Sequence, residues 1–575
     1  MRTRRPNVVL VLTDDQGYAD LGCTGNPWIR TPHIDAFHDE AVRGTDFHVS
    51  PLCTPTRGAL MTGHLPLRNG AWATCWGRSI LKADEVTMAD LFAAGGYRTG
   101  MFGKWHLGDN YPYRPQDRGF QTVVAHKGGG VGQTPDHWGN NYFDDTYFHN
   151  GRPVEHSGYC TDVWFDEALA FIEQHRAERF FAYVATNAPH SPYLVAERYA
   201  ALYRDNPEIP HPAFYGMITN IDENFGRLRA KLAELGLEDD TILVFMTDNG
   251  SSGGAVLDRD QFVTRGYNAG LRGMKASYYD GGHRAPCFVR WPGGGLDGGR
   301  DVTEMTLHVD LLPTFIDLCG LPQPEGLAFD GTSLAALWRG EIDRLPGDRV
   351  TFAQYRQATV LPEKWTNAVL TRQWRLVGGC ELYDIAADPG QREDVADRHP
   401  EVVARLRAAH EAWWDEVLPR LEQLAPITLG SDAENPTTLD AMDVLGDVAW
   451  SQSMIAMAQR STGRWSVQVA HAGRYRCALR RWPPELDLPL AAPLAAEQAE
   501  RLAPYQPLAR LGTIAPVAAR LAIGDQELTQ SVPAGATEVV FELDLTPTGP
   551  TKLDAWFVLP DGEECGAYYV VVERV

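Results

Sequence analysis

Several features are scarce in this 575-residue chain, and each scarcity narrows what it can be. No stretch approaches the roughly 18 consecutive apolar residues that a membrane-spanning helix needs, so no membrane span is expected. The early apolar run, Val8–Leu12, is too short for a signal-peptide core, and Met1–Pro6, rich in Arg, runs straight into it. A cytoplasmic chain without a cleaved leader is the expectation, or a periplasmic or secreted one if the start has been trimmed. The nine cysteines are odd in number and scattered, with no CxxC pair, so neither a zinc site nor a disulfide framework is suggested. Positive charge is short: 52 Lys and Arg against 75 Asp and Glu give a net charge of −23. That balance argues against a nucleic-acid binder, because phosphate binding needs a positive surface. A local basic pocket stays compatible with it. No internal repeat is visible. What remains, 44% hydrophobic and 22% charged residues, is an ordinary globular composition with ample length for large cores.

The first 320 or so residues alternate buried-strand runs with helical periods. Asn7–Thr13 (NVVLVLT), Thr99–Gly103, Arg179–Thr186 (RFFAYVAT) and Thr241–Thr247 (TILVFMT) read as strands. Between them, Thr87–Ala94, Tyr159–His175 and Phe214–Leu235 read as helices, the first stopped by Gly95-Gly96. This alternation predicts an α/β fold, a mostly parallel central sheet sandwiched by helices. Two connections, His126–Gly158 and Ser251–Gly282, are long and rich in Gly, Asn, Asp and aromatics, as functional loops often are. The pattern predicts an α/β domain over 1–345 and a small α+β subdomain over 346–425. The latter has short strands in Arg349–Tyr355, Ala368–Leu370 and Arg375–Val377 and a helix over Pro400–Val417. A β-sandwich-like module occupies 426–575. Its strands are Trp465–Ala470, Tyr475–Arg480, Glu538–Leu543, Leu553–Leu559 and Ala567–Val572, interrupted by a Pro- and Ala-rich stretch, Trp482 to Pro516.

Ligands of open α/β sheets bind beyond the carboxyl ends of the strands. There the sequence places Asp14-Asp15, Lys104 with His106, His190, and Asp248-Asn249. Each alone is weak, because Asp after a strand is often a turn or a cap. Together they sort by chemistry. Asp14, Asp15, Asp248 and Asn249 are hard oxygen ligands suited to Ca²⁺ or Mg²⁺ rather than zinc. Lys104, His106 and His190 hold negative charge or move protons. A hard cation beside such groups describes a site for an anionic ester. A further element, Cys53-Thr54-Pro55-Thr56-Arg57, places a Cys at a predicted helix N-terminus, where it reads either as a thiolate nucleophile or as a small buried hydrophobe.

The segments PNVVLVLTDDQGYADLG, CTPTRGALMTG, GKWHLG, NAPH, VFMTDNG, LRGMKASYYDGGHRAP, HVDLLPTFIDLCG and ELYDIAADP together resemble the type I sulfatases of the alkaline-phosphatase superfamily. The resemblance spans residues 7 to about 420. It implies that Cys53 is converted by a maturation enzyme to formylglycine, whose hydrate is the nucleophile. It implies one divalent cation, most often Ca²⁺ with Mg²⁺ as the alternative, held by Asp14, Asp15, Asp248, Asn249 and the modified Cys53. Arg57 would steady the hydrate, Lys104 contact sulfate oxygens, and His106 take a proton during sulfate release. His190 and Lys275 would bind the ester and serve the leaving group. His283 is given no role, although it is a candidate to face substrate.

The expected reaction is hydrolysis of a sulfate monoester of an aryl or carbohydrate compound. Aromatics in the 126–151 loop and in Trp72–Trp76 are placed either to stack on substrate or simply to pack. Two alternatives are a phosphonate or phosphate ester hydrolase and an inactive binder of sulfated glycans. Every matched motif position is intact, which weighs against the inactive form. The tail is expected to be accessory, covering the cleft or mediating association. The oligomeric state is not legible.

Overall fold

The computed structural model describes residues 5–502, 508 and 510–575. Its centre is a ten-stranded sheet. Asn7–Thr13 lies in the middle, flanked in parallel by Phe180–Ala185 and Thr241–Thr247. Arg98–Lys104 and then Thr122–His126 continue the parallel array on one side. Beyond Thr241–Thr247 come antiparallel Cys287–Arg290, then Val42–Gly44 and, parallel to it at the edge, Arg300–Val302; beyond Thr122–His126 lies an antiparallel hairpin of Thr146–His149 with Arg152–Glu155. Every residue of Asn7–Thr13, Phe180–Ala185 and Thr241–Thr247 is buried, as continuous β-branched and aromatic runs demand when helices cover both faces. One face packs into a core with Leu10, Tyr183, Val244 and Phe92, the other into a core with Val9, Phe102, Phe165 and Phe225.

The helices match the sequence pattern closely. Met88–Ala94 starts on Thr87, whose side chain accepts from the Asp90 amide while the Asp90 carboxylate accepts from the Thr87 amide. Cys160–Gln174 and Pro212–Glu234 cover one face of the sheet. The two long connections are less bare than expected. The first holds the edge hairpin just described, the second a short hairpin of Ala255–Leu257 with Val263–Gly266. Polar and aromatic composition hid these strands, because an edge strand needs no continuous apolar run.

Beyond the central sheet, Thr351–Gln354, Asn367–Leu370, Trp374–Val377 and Glu381–Asp384 form a four-stranded antiparallel sheet packed on the helix Pro400–Leu421. The C-terminal part is two facing β-sheets around one core that includes Trp465, Tyr475, Phe541 and Phe557. That core also takes in Ile80, Tyr113 and Trp138 from the N-terminal half, so the sandwich is packed against it rather than tethered to it. The hairpin Ala518–Ile523 with Gln526–Ser531 escaped the sequence reading, because its second strand (QELTQS) is exposed throughout. No described helix is long and apolar enough to cross a membrane.

Candidate active site

The carboxyl ends of four neighbouring parallel strands deliver Asp14 and Asp15, Lys104 and His106, His190, and Asp248 and Asn249 to one rim. Register is what brings them together: Thr13 pairs with Thr247, Leu12 with Ala185, and Gly103 with Ala185. At Gly103 (φ 113°) an added Cβ would lie 2.0 Å from the Ala185 carbonyl oxygen, so only glycine lets Lys104 leave the sheet at this depth. Asp15 (φ 67°) and His106 (φ 59°) hold left-handed backbone conformations that cost about 1 kcal/mol or more each. The turns they make aim their side chains back over the rim.

Cys53 is the first residue of the helix Cys53–Thr62, all of which is buried. Its Sγ lies 3.5 Å from His106 Nδ1. His106 Nε2 lies 3.1 Å from the Thr74 carbonyl, which can only accept. Nε2 therefore carries the proton, and Nδ1 presents its lone pair to residue 53. Burial, reinforced by the Lys104 charge, drives His106 well below the usual imidazole range, so it is a neutral acceptor. Burial also pushes the Cys53 thiol up, against the pull of Lys104 and Lys275. Unmodified Cys53 is thus a poor thiolate, which leaves the thiolate reading without support.

Three carboxylates face three fixed cations in the floor. Lys104 Nζ lies 2.6 Å from Asp14, and Lys275 Nζ lies 2.6 Å from Asp15. The Arg57 guanidinium donates to Asp248 at 2.8 Å and to the Lys104 carbonyl at 3.1 Å. Asn249 Nδ2 donates to Asp15 Oδ1 at 3.0 Å. His190 Nε2 is 3.7 Å from Asp15, while its Nδ1 donates to the Ser191 carbonyl at 2.6 Å. Burial takes His190 down to about 4 despite the Asp15 charge. Burial would likewise lower Lys275, but Asp15 outweighs it and keeps the ammonium charged.

The donor set fits a hard cation. Asp14, Asp15 and Asp248 bring carboxylate oxygens within 4.8 Å of one another. Asp14 Oδ1 and Asn249 Oδ1 are buried without a hydrogen-bond partner, a cost of about 1–3 kcal/mol each unless a donor or a cation meets them. Burial and the Asp14 charge together push Asp248 upward, the signature of crowded like charge. An all-oxygen ligand set of this kind suits Ca²⁺ or Mg²⁺. A second buried group, His48, Asp280 and His283, already encloses a cation: Arg375 Nε donates to Asp280 at 2.8 Å. His283 is turned to His48 Nδ1 at 3.0 Å and is fully buried, so it does not face substrate.

Above Cys53 opens a cleft of about 620 Å³ lined by His106, His190 and Lys275 on the floor and by residues no motif announced. These include Thr74, Gly129, Gln133, Tyr355 and Gln357, and from the tail Met442, Asp447, Trp450 and Arg460. Of the aromatics weighed from sequence, only Trp76 lines the cleft. Trp72, Trp138, Tyr142 and Tyr147 are buried in cores. Gly129 lies flat on the His106 ring, since a Cβ there would come within 2.3 Å of it. The tail holds this loop. Fully buried Gln452 donates to the carbonyls of Gln133, Asp136 and His137 and accepts from the Gly139 amide.

A parallel sheet whose strand ends gather a hard-ligand cluster, three fixed cations and a helix-start Cys defines an ester hydrolase of the alkaline-phosphatase superfamily. Comparison with known proteins narrows the class. The Sulfatase family profile matches residues 6–321, and the profile for the N-sulphoglucosamine sulphohydrolase C-terminal region matches 274–412. The chain belongs to the sulfatase family. It is 32% identical to human arylsulfatase A over 59% of this chain and 68% of that protein. It is 28% identical to the N-acetylgalactosamine-6-O-sulfatase of Bacteroides thetaiotaomicron over 70% of this chain and 92% of that one. Among solved structures, Ps i-CgsB in complex with k-i-k-neocarrahexaose superposes with a TM-score of 0.62 at 27% identity, covering 71% of this chain and 93% of that one. The protein is a sulfatase.

Proposed function

We propose that this sulfatase cleaves a sulfate monoester of an aryl or carbohydrate alcohol, with Cys53 in its formylglycine form as nucleophile and one divalent cation, Ca²⁺ or Mg²⁺. The observation that carries the reading is the placement of residue 53 at 3.5 Å from a neutral His106, beside an oxygen cluster with orphaned ligands. A maturation enzyme would replace the thiol by an aldehyde, and its hydrate would offer two hydroxyls on one carbon. One hydroxyl would attack sulfur, its proton passing to a neighbouring carboxylate of the floor as the bond from sulfur to the alcohol oxygen breaks and that oxygen is protonated. His106 Nδ1 takes the proton from the other, and re-formation of the aldehyde expels sulfate. Asp14, Asp15, Asp248, Asn249 and residue 53 would hold the cation, which supplies charge for the sulfuryl oxygens. Lys104 and Lys275 face those same oxygens, and Arg57 fixes Asp248. Lys275, which is protonated, would give the leaving oxygen its proton, and His190 would bind the ester beside it.

The family match favours sulfate over phosphate, because the profile over residues 6–321 is that of the sulfatases. The three carboxylates are matched by Arg57, Lys104 and Lys275, so a divalent cation would bring the net positive charge of the site, and that charge accepts either ester. Asn249 would add a neutral oxygen ligand suited to Ca²⁺. The deciding measurement is kcat/KM for one aryl leaving group as sulfate, phosphate monoester and phosphonate, with Cys53 fully converted and metal saturated. Sulfate is expected to lead. A tenfold preference for a phosphorus ester would reassign the chain to a phosphonate or phosphate ester hydrolase.

A further inference from the structure

A sulfate group fills only the floor of a cleft of about 620 Å³, so most of that volume belongs to whatever the sulfate is attached to. The far wall is built from the tail, beyond residue 412, where the sulfatase-type profiles end. It is a fixed wall. The Trp76 amide donates to the Met442 carbonyl at 3.0 Å, and the Thr134 amide donates to the Trp450 carbonyl at 3.1 Å. Gln452, two residues on from Trp450, clamps the glycine-rich loop from inside. Trp76, Tyr355 and Trp450 bring flat apolar faces to the cleft, and Met442 and Val448 add to the apolar lining.

The charges of this wall are as informative as its aromatics. Apart from the floor groups, the charged lining residues among those described are Asp447 and Arg460. Arg460 Nη1 is already 3.0 Å from Glu563. The wall therefore offers no unpaired cation to a second anionic group, and Asp447 opposes one. The chain's net charge of −23 adds a repulsive field at longer range.

We propose that the tail completes a leaving-group subsite, between Trp76 and the 442–460 segment, that takes an uncharged leaving group with a flat or apolar face and discriminates against polyanionic ones. This rests on the sulfate-ester reading above and goes beyond it by naming the substrate class: a singly sulfated, otherwise neutral compound rather than a multiply sulfated chain. An aryl ring and a neutral sugar share the chemistry that such a wall recognises.

The test uses the full chain with converted Cys53 and four substrates: an aryl monosulfate, the same aryl sulfate bearing a carboxylate, a neutral monosulfated sugar, and that sugar with a second sulfate. In each pair the added anion is expected to lower kcat/KM at least about tenfold, mostly through KM. Asp447→Lys is expected to recover roughly threefold to tenfold of that loss at low ionic strength, and less as salt is raised. Trp450→Ala is expected to raise KM about tenfold for the preferred neutral substrate and much less for a small alkyl sulfate, with Trp450→Phe recovering most of it. The better substrate of the two neutral compounds identifies which source the subsite takes. Equal or better turnover of the doubly charged partners would overturn the proposal. So would an equal loss on small and large sulfates in a Trp450→Ala protein whose melting is unchanged. Absence of turnover on every sulfate ester would instead strike the sulfate-ester reading itself.

Discussion

Arg57 and Arg481 are both fully buried, yet they show two ways of using the same side chain. Arg57, in the catalytic floor, faces carboxylates. Burial would lower it, but Asp248, Tyr183 and Asp14 hold it higher. Arg481, in the C-terminal sandwich, donates to the carbonyls of Leu490, Ala492, Ile455 and Gly512 and lies over the Trp482 ring, 4.3 Å from its centroid. Burial brings it down to about 10. In the floor the charge is the point, because an anionic ester must be held and turned over. In the sandwich the five-donor fork is the point, because it ties the segments at Ile455, Leu490–Ala492 and Gly512, which no regular ladder joins. One region is built for electrostatics and tolerates little change of residue type. The other is built for shape, and a change there costs stability rather than chemistry.

The contrast is sharpest where activity is lost outright. Cys53→Ala should reduce turnover by about three orders of magnitude or more with melting nearly unchanged, since no other group can act as the nucleophile. Peptide mass spectrometry on the wild type should find the residue 53 thiol replaced by an aldehyde. Next in size is metal removal. Chelation should abolish activity, and Ca²⁺ or Mg²⁺ should restore it. Asp14→Ala and Asp248→Ala should lose activity and bound metal together, as atomic emission on the purified protein would show. Stoichiometric zinc surviving in those variants would contradict the oxygen-ligand reading.

In the sandwich the expected losses are of stability rather than chemistry. Arg481→Met should cost about 3 kcal/mol in chemical denaturation, because it strands several buried carbonyls. Gln452→Leu should cost about 2 kcal/mol, and it should also lower kcat, because the loop it clamps carries Gly129 against His106. A kcat unchanged in that variant would mean that the loop holds His106 without the tail.

The smallest effect concerns His64, which donates to Glu85 at 2.6 Å and to the Ala328 carbonyl at 2.7 Å. Burial lowers its pKa, but the Glu85 contact wins and raises it. A raised folded pKa stabilises fully below the unfolded value of about 6.5, and that contribution fades as pH climbs through the folded value. Urea unfolding should therefore show a larger deficit for His64→Gln at about pH 5.5 than at about pH 9.

Legibility divided along the same line. The strands that carry the floor are continuous apolar runs, so their ends, and with them Asp14, Lys104, His190 and Asp248, could be found from the polar residues just past each run. Thr74 could not. It matters only through its carbonyl, which every residue has, held in place by a turn that ends at Trp76 and Met442. Trp450 and Gln452 carried no signal either, because a Trp or Gln in a β-rich tail is ordinary until its neighbours are known. The exposed strand Gln526–Ser531 was invisible for a plainer reason: both of its faces are exposed, and Leu528 is its only apolar residue.

The sequence by itself determined the chemistry on offer: hard oxygens, two lysines, two histidines, one arginine and a cysteine at a helix start, in an order that marks a sulfatase. It determined the parallel sheet too, because β-branched runs have nowhere to go but between two layers of helices. Only the tertiary structure decided which cation meets which carboxylate, since Lys104 with Asp14 and Lys275 with Asp15 are contacts across 90 and 260 residues. Only the tertiary structure set the tail's wall above Cys53. Ion pairs and cleft walls depend on distances of a few ångströms between segments far apart in the chain, and packing alone sets those distances.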